Sequence, residues 1–186
     1  LSDAEILDLE GAVARVRARN LRIADIARDD FPLPVLAPVL ARIREDVVDG
    51  RGVSMMRGVP VDRWSREETA IAYWGIGTHL GEAVTQNARG HVLGHVKDVG
   101  VDVNDVNNRG HRSRAELSFH NDIGGEIIGL LCLKPSKSGG LSSVSCGAAI
   151  YKAMLERRPD LLAELTRPMY HDRRGEVPEG SKPYYP

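Results

Sequence analysis

The sequence predicts an α+β or jelly-roll domain in which helices come first and short strands follow. Apolar residues recur at helical spacing over residues 6–16 and again over residues 33–48. From residue 52 onward, short segments rich in Val, Ile and Leu are bounded by Gly and Pro, a pattern typical of strands. Helices packed against a sheet of short strands form an α+β or jelly-roll architecture.

Length and composition limit the class of protein. The 186 residues suit one domain, with residues 1–50 as a helical N-terminal region and 51–186 as a sheet core with helices. The 42% hydrophobic and 27% charged residues are typical of a globular protein. A net charge of -1 lacks the positive excess that nonspecific nucleic-acid binding requires. The sequence contains no apolar run of about 20 residues, which argues against a membrane partner.

The N-terminus and the cysteines predict a cytoplasmic location. Residues 1–5 have neither a basic start nor an apolar stretch, so we expect them not to form a signal peptide. Two cysteines, Cys132 and Cys146, are too few for a disulfide scaffold. Both lie in predicted apolar strands, where we expect buried and unreactive thiols.

Three of the predicted helices have recognisable starts. Ser2 with Glu5, and Ser65 with Glu68, have the spacing of a capping box, in which each side chain bonds the other residue's backbone N–H. Two further helices are predicted over residues 148–157 and 160–166, with Pro159 at the start of the second.

The strands come in short pieces separated by turns. Residues 101–114 are dense in Asn, Asp, Arg and Gly and predict a long exposed loop. The predicted strands provide only part of a jelly roll. They cover residues 52–61, 83–87, 91–96, 117–119, 126–133 and 141–146.

The strongest chemical signal is the pair His120 and Asp122. Residues two apart on a strand project to the same face, so both side chains can approach one metal ion. An imidazole nitrogen and a carboxylate oxygen are two of the three ligands in a 2-His-1-carboxylate iron site. Composition alone yields about 0.8 such pairs in this chain. A histidine at a strand end beside a solvated turn aspartate is therefore the alternative interpretation.

The surrounding sequence resembles the taurine dioxygenase-like (TauD/TfdA) family of Fe(II)- and 2-oxoglutarate-dependent oxygenases. Residues 115–151 carry three features of that family in order. They are the His-x-Asp pair, an apolar strand leading into a Lys-Pro loop, and Gly139-Gly140 before a polar strand that enters a helix. The resemblance extends over about residues 51–183.

The resemblance implies a double-stranded β-helix core and a specific chemistry. His120 and Asp122 would ligate Fe(II) and be catalytic. Ser142 stands where the family often has a Thr that hydrogen-bonds 2-oxoglutarate. The implied enzyme decarboxylates 2-oxoglutarate to succinate and uses dioxygen to hydroxylate, or otherwise oxidise, an unactivated carbon of a small metabolite.

The match with the family is incomplete at the C-terminus. The family's second ligand His and the Arg that pairs with 2-oxoglutarate lie downstream of everything here. Only His171 follows Asp122, and a surface histidine is the favoured interpretation of it. A non-catalytic jelly-roll binding or interaction module is therefore the rival hypothesis. If the sheet ended at Pro186 with only part of its strands, its strand edges would be exposed. Exposed edges favour pairing with a second copy as a homo-oligomer.

Other polar residues are weaker candidates. Gln86 and Asn87 border the active-site mouth in the resembled family and are expected to contact substrate, although Asn is also common in turns. Glu116 could face the pocket or the solvent. His91 and His95 have the spacing of two zinc ligands on a helix, but their glycine-rich surroundings favour a strand, where they would lie about 13 Å apart.

Overall fold

Five α-helices and one small hairpin are formed in the part of the chain that the structure describes. The structure is a computed structural model, and it describes residues 1–85, 91–101, 113, 115–122, 125–173, 177 and 179–185. The helices are α1 (Asp3–Ala18), α2 (Ala37–Val48), α3 (Arg66–Leu80), α4 (Gly147–Arg157) and α5 (Pro159–Leu165). Strands β1 (His171–Asp172) and β2 (Tyr184–Tyr185) form the hairpin.

Helix α1 begins at the predicted capping box. The Ser2 hydroxyl accepts from the backbone N–H of Glu5, and the Glu5 carboxylate accepts from the backbone N–H of Ser2 at 2.7 Å. The predicted apolar stripe is buried at Leu9, Val13 and Val16. The helix therefore begins where its own sequence satisfies the free N–H groups of its first turn.

Helix α2 is anchored by a side chain of α1. The Asp8 carboxylate accepts two hydrogen bonds, each 2.9 Å long, from the backbone N–H groups of Val35 and Leu36. These groups precede the helix, where free N–H groups and the helix dipole favour a negative charge. Leu36 and Leu40 are fully buried, so the same end of α2 is fixed by packing as well.

Helix α3 packs closely against Phe31. Gly75 lies so close to the Phe31 ring that a Cβ atom at this position would overlap it. His79 Nε2–H donates to the Phe31 carbonyl at 2.8 Å, and Trp74 Nε1–H donates to the Ile26 carbonyl at 3.0 Å. Both bonds tie α3 to the segment between α1 and α2.

The buried apolar residues lie almost entirely in the first 76 positions. Only one described apolar residue outside that range is buried, Leu162 of α5. The core therefore sits among the N-terminal helices. Its members are Leu9, Ala12, Val13, Val16, Ile26, Phe31, Leu33, Leu36, Leu40, Ile71, Ala72, Trp74 and Ile76.

The capping box of α3 predicts a pH dependence. Hydrogen bonds from the Ser65 backbone and hydroxyl, with the Arg17 guanidinium nearby, lower the pKa of Glu68. A carboxyl with a lowered pKa in the folded state contributes stability above its unfolded pKa. That contribution is lost as the pH falls below the ordinary glutamate range near about 4.3.

We therefore expect Glu68→Gln to reduce the free energy of unfolding at pH 7. The free energy of unfolding of this variant should also decrease less than that of the original protein between about pH 5 and pH 3. Urea unfolding at several pH values measures both effects. Glu67→Gln is the matched control, because it removes a charge from the same helical turn but not from the capping box. Equal pH profiles for the two variants would contradict the assignment.

The two strands form a hairpin supported by stacked rings. They pair antiparallel, with His171 opposite Tyr185. The rings of these two residues stack with centroids 5.4 Å apart, and the Arg173 guanidinium lies 5.1 Å from the Tyr185 ring centre. Cross-strand ring pairs and cation–π contacts of this kind stabilise short hairpins that the backbone alone would not hold.

The strand prediction is wrong for the segments that the structure describes. None of the described residues in 52–61, 83–85, 91–96, 117–119, 126–133 and 141–146 belongs to a strand. A strand requires a neighbouring strand for its backbone hydrogen bonds, and no described residue of these segments is paired in a sheet. Several of their apolar side chains are exposed, by 75% at Phe119, 82% at Leu130 and 97% at Leu141. The jelly-roll core remains a prediction.

The chain divides into two compact units of different length. Unit 1 contains Leu1–Ala83 and Gly125–Cys146, and unit 2 contains Val84–Gly124 and Gly147–Pro186. In unit 1, a Cβ atom at position 129 would lie 2.9 Å from the Tyr73 hydroxyl, and burial raises the pKa of Tyr73. The single-domain interpretation remains a prediction.

Within the described ranges, no helix combines the length and apolarity needed to cross a bilayer.

Candidate functional site

His120 is exposed, and its ring is held by the backbone of its own segment. Nδ1 lies 2.7 Å from the carbonyl oxygen of Ser118. A carbonyl oxygen can only accept, so Nδ1 must carry the proton in this bond. In the neutral form of a ring that donates from Nδ1, the lone pair lies on Nε2. This is the arrangement that metal-binding histidines use, with one ring nitrogen donating to a carbonyl and the other free for the ion.

Asp122 presents an exposed carboxylate two residues later. It forms no ion pair within the described part of the chain, so its oxygens are available to a cation. The predicted convergence of Asp122 with His120 relied on strand geometry, and residues 115–122 form no strand. The shared-ion geometry therefore remains a prediction.

A third metal ligand is not found among the described residues. No group of three or more His, Cys, Asp or Glu side chains in those ranges is arranged to hold a metal ion. His171 instead stacks on Tyr185, as the surface interpretation expects. His91 and His95 likewise belong to no such group.

Ser142 follows a tight turn. Gly139 and Gly140 have φ angles of 68° and 70°, which favour glycine strongly. The Ser136 hydroxyl donates to the Gly139 carbonyl at 2.7 Å and occupies the space that a Cβ at position 140 would need. The chain leaves this turn with Ser142 exposed, so its hydroxyl is accessible to a ligand.

The remaining candidates divide between exposed and undescribed positions. Glu116 is exposed, in agreement with the solvent-facing alternative. Gln86 and Asn87 lie outside the described residues, as does most of the predicted loop over 101–114. The prediction of buried thiols is wrong, because Cys132 and Cys146 are both exposed in segments that no strand covers.

Sequence reasoning missed Ser118. Its contribution is a backbone carbonyl, which every residue possesses, so the residue type carried no signal. The only available indication was its position two residues before a candidate ligand, because a backbone carbonyl at that distance can reach the histidine ring.

Comparisons with known proteins agree with the sequence motifs. Residues 18–185 match the family described as taurine catabolism dioxygenase TauD, TfdA family. The chain is 33% identical to FR-33289 synthase of Streptomyces rubellomurinus over 183 residues, covering 98% of this chain and 53% of that protein. It is 30% identical to a taurine hydroxylase-like protein of Stachybotrys chartarum over 172 residues, covering 89% of this chain and 44% of that protein.

The chain thus spans about half the length of the curated relatives it matches. The family match nevertheless covers 168 of the 186 residues and includes the His-x-Asp pair, the glycine turn and helices α2 to α5. The chain belongs to the taurine catabolism dioxygenase TauD, TfdA family.

Proposed function

We propose that this chain forms part of an Fe(II)- and 2-oxoglutarate-dependent oxygenase that hydroxylates, or otherwise oxidises, an unactivated carbon of a small metabolite. The observation that carries the proposal is the His120 ring, whose Nδ1–H is engaged by the Ser118 carbonyl so that Nε2 is free to bind a metal. Membership of the family supports the same chemistry.

The donor atoms present suit ferrous iron. His120 would supply Nε2 and Asp122 a carboxylate oxygen, the nitrogen and oxygen donors typical of non-haem iron sites. Bound iron would couple dioxygen to the decarboxylation of 2-oxoglutarate, so that one oxygen atom enters succinate and the other enters the substrate C–H bond. Both side chains would hold the ion from one short segment of the chain.

Other residues would position the organic molecules. The exposed Ser142 hydroxyl would donate to a carboxylate of 2-oxoglutarate, which a hydroxyl can do as well as the threonine of related sequences. Gln86, Asn87 and Glu116 would contact the substrate through amide and carboxylate groups. The proposed partners are dioxygen and small metabolites, in the cytoplasm.

One observation favours a second candidate function. Two protein ligands hold iron weakly, and no third joins His120 and Asp122 within the described residues. A non-catalytic binding or interaction module would need no complete metal site. This rival makes the opposite prediction for iron and 2-oxoglutarate binding.

Anaerobic addition of Fe(II) and 2-oxoglutarate to the full-length protein tests the proposal. We expect a weak visible charge-transfer band from the iron–2-oxoglutarate chelate. Succinate in place of 2-oxoglutarate is the control, since it lacks the keto oxygen needed for chelation and should give no band. Absence of the band, together with no succinate formation from 2-oxoglutarate in air, would favour the binding module.

A further inference from the structure

An open groove lies between helix α1 and the segment that leads into α2. Leu7 on one side of it is 67% exposed, and Val35 next to its other side is 48% exposed. Prolines have no backbone N–H, so the wall at positions 32 and 34 can be covered without leaving a donor unpaired there. The groove has a volume of about 480 Å³ and is lined by Leu7, Asp8, Gly11, Arg15, Pro32 and Pro34.

Gly11 leaves α1 open to close approach at the middle of the groove. Leu7, Gly11 and Arg15 are spaced four residues apart, so they form one ridge along the helix, and the ridge is lowest at the glycine. A Cβ atom at position 11 would meet nothing within 4 Å, so packing inside the chain does not require a glycine here. Glycine is also a poorer helix former than alanine. The close approach that Gly11 permits is therefore unused within the chain.

The two charged residues of the groove are complementary about Gly11. Asp8 lies three residues before Gly11, and Arg15 lies four residues after it. A two-fold axis through Gly11 would place Asp8 of each copy beside Arg15 of the other. Arg15 forms no hydrogen bond or ion pair with any described residue. Asp8 uses Oδ2 to bind the backbone before α2, which leaves Oδ1 for an ion pair.

We propose that this groove is the contact surface between two copies of the chain, whose α1 helices cross antiparallel at Gly11. Leu7 of each copy then packs into the groove of the other, and two Asp8–Arg15 pairs form beside the crossing. One patch serves both copies, as a two-fold interface requires. A parallel pair would instead bring like charges together. The proposal does not depend on the proposed function, because no residue of the groove belongs to the candidate iron site.

Sedimentation velocity of the full-length protein over a range of concentrations tests the proposal. We expect a monomer–dimer equilibrium. Arg15→Glu would face Asp8 with a second negative charge at both contacts, so it should weaken dimerisation about tenfold or more. Arg66→Glu is the matched control, because Arg66 is also exposed and lies outside the groove. A protein that is monomeric at every concentration, or equal dimerisation of both variants, would overturn the proposal.

Gly11→Gln separates the contact between copies from the stability of the fold. The longer side chain would stand in the helix crossing and should abolish the dimer. Thermal unfolding of the monomer should not weaken, because glutamine is the better helix former and position 11 is open. Gly77→Gln on α3 is the control, since Gly77 is also exposed with nothing within 4 Å of its Cβ position. A dimer that survives Gly11→Gln would overturn the assignment of the surface.

Disulfide crosslinking tests the antiparallel direction. The natural thiols are first removed with Cys132→Ser and Cys146→Ser, both at exposed positions. Chains carrying Leu7→Cys are then mixed with chains carrying Ala14→Cys and oxidised. An antiparallel crossing at Gly11 brings position 7 of one copy close to position 14 of the other, so we expect disulfides between unlike chains. Disulfides formed only between like chains, or none at all, would overturn the antiparallel arrangement.

Discussion

Replacing Phe31 with alanine should destabilise the protein by about 3–5 kcal/mol, the usual effect of deleting a buried aromatic ring. The Phe31 side chain is fully buried and its ring lies against Gly75 of α3. Total stabilities of natural domains are about 5–15 kcal/mol, so this loss would be a large fraction. Urea unfolding followed by tryptophan fluorescence measures it, because the buried Trp74 lies beside Gly75 on α3.

Gly75 tests the same contact from the other side. Gly75→Ala should destabilise by about 1–3 kcal/mol, because the added methyl group forces the Phe31 ring to move. Gly77→Ala is the matched control on the same helix, where a Cβ meets nothing within 4 Å. Alanine is the better helix former, so this control should stabilise by up to about 1 kcal/mol.

A double variant separates the clash from the intrinsic preference of the helix. In a Phe31→Ala background the ring is gone, so Gly75→Ala should no longer destabilise. Destabilisation of the same size in both backgrounds would show that Gly75 is required for a reason other than the ring. Equal effects of Gly75→Ala and Gly77→Ala in the original background would contradict the close packing described here.

His120→Ala should lower the affinity for Fe(II) or Co(II) by more than about 100-fold. Loss of a group that only orients a metal ligand typically costs 10–100-fold, and loss of the ligand itself should cost more. Anaerobic titration with either ion measures the change. The expected loss follows from the removal of Nε2, which the Ser118 bond leaves as the donor.

His95→Ala is the control for this experiment. His95 is also an exposed histidine, and the described residues place it in no metal-binding group. Its replacement should leave the affinity unchanged. Equal affinities of the original protein and His120→Ala, or an equal loss in both variants, would contradict the assignment of the ligand.

The helices could be predicted because their signals are local. Ser65 and Glu68 lie three residues apart and satisfy each other's backbone groups at the start of α3. The buried positions Leu9, Val13 and Val16 follow the helical period within α1. Neither signal depends on residues far along the chain, so both could be recognised from a few adjacent positions.

The strands could not be predicted with the same success, because strand formation depends on a distant partner. Val and Ile fit a pleated surface, but a segment becomes a strand only where another pairs with it. Leu130 and Leu141 lie in segments with suitable composition and remain exposed without that pairing. The prediction that Cys132 and Cys146 are buried was wrong for the same reason.

The candidate site was predictable in its residue types and not in its geometry. His120 and Asp122 were recognisable because their donor atoms suit iron and neighbouring motifs resemble a family that uses them. Whether two side chains converge depends on backbone angles that composition does not encode. The role of the Ser118 carbonyl could not be predicted for a further reason, because no side chain identifies a backbone acceptor.

The location of the buried residues has a consequence for synthesis on the ribosome. Those of unit 1 all precede residue 77. Chains grow at about 5–20 residues per second, so residues 77–119 take roughly 2–9 s to translate. Hydrophobic collapse and helix formation need less than about a millisecond. We therefore expect the N-terminal helices to be assembled before the codon for His120 is read.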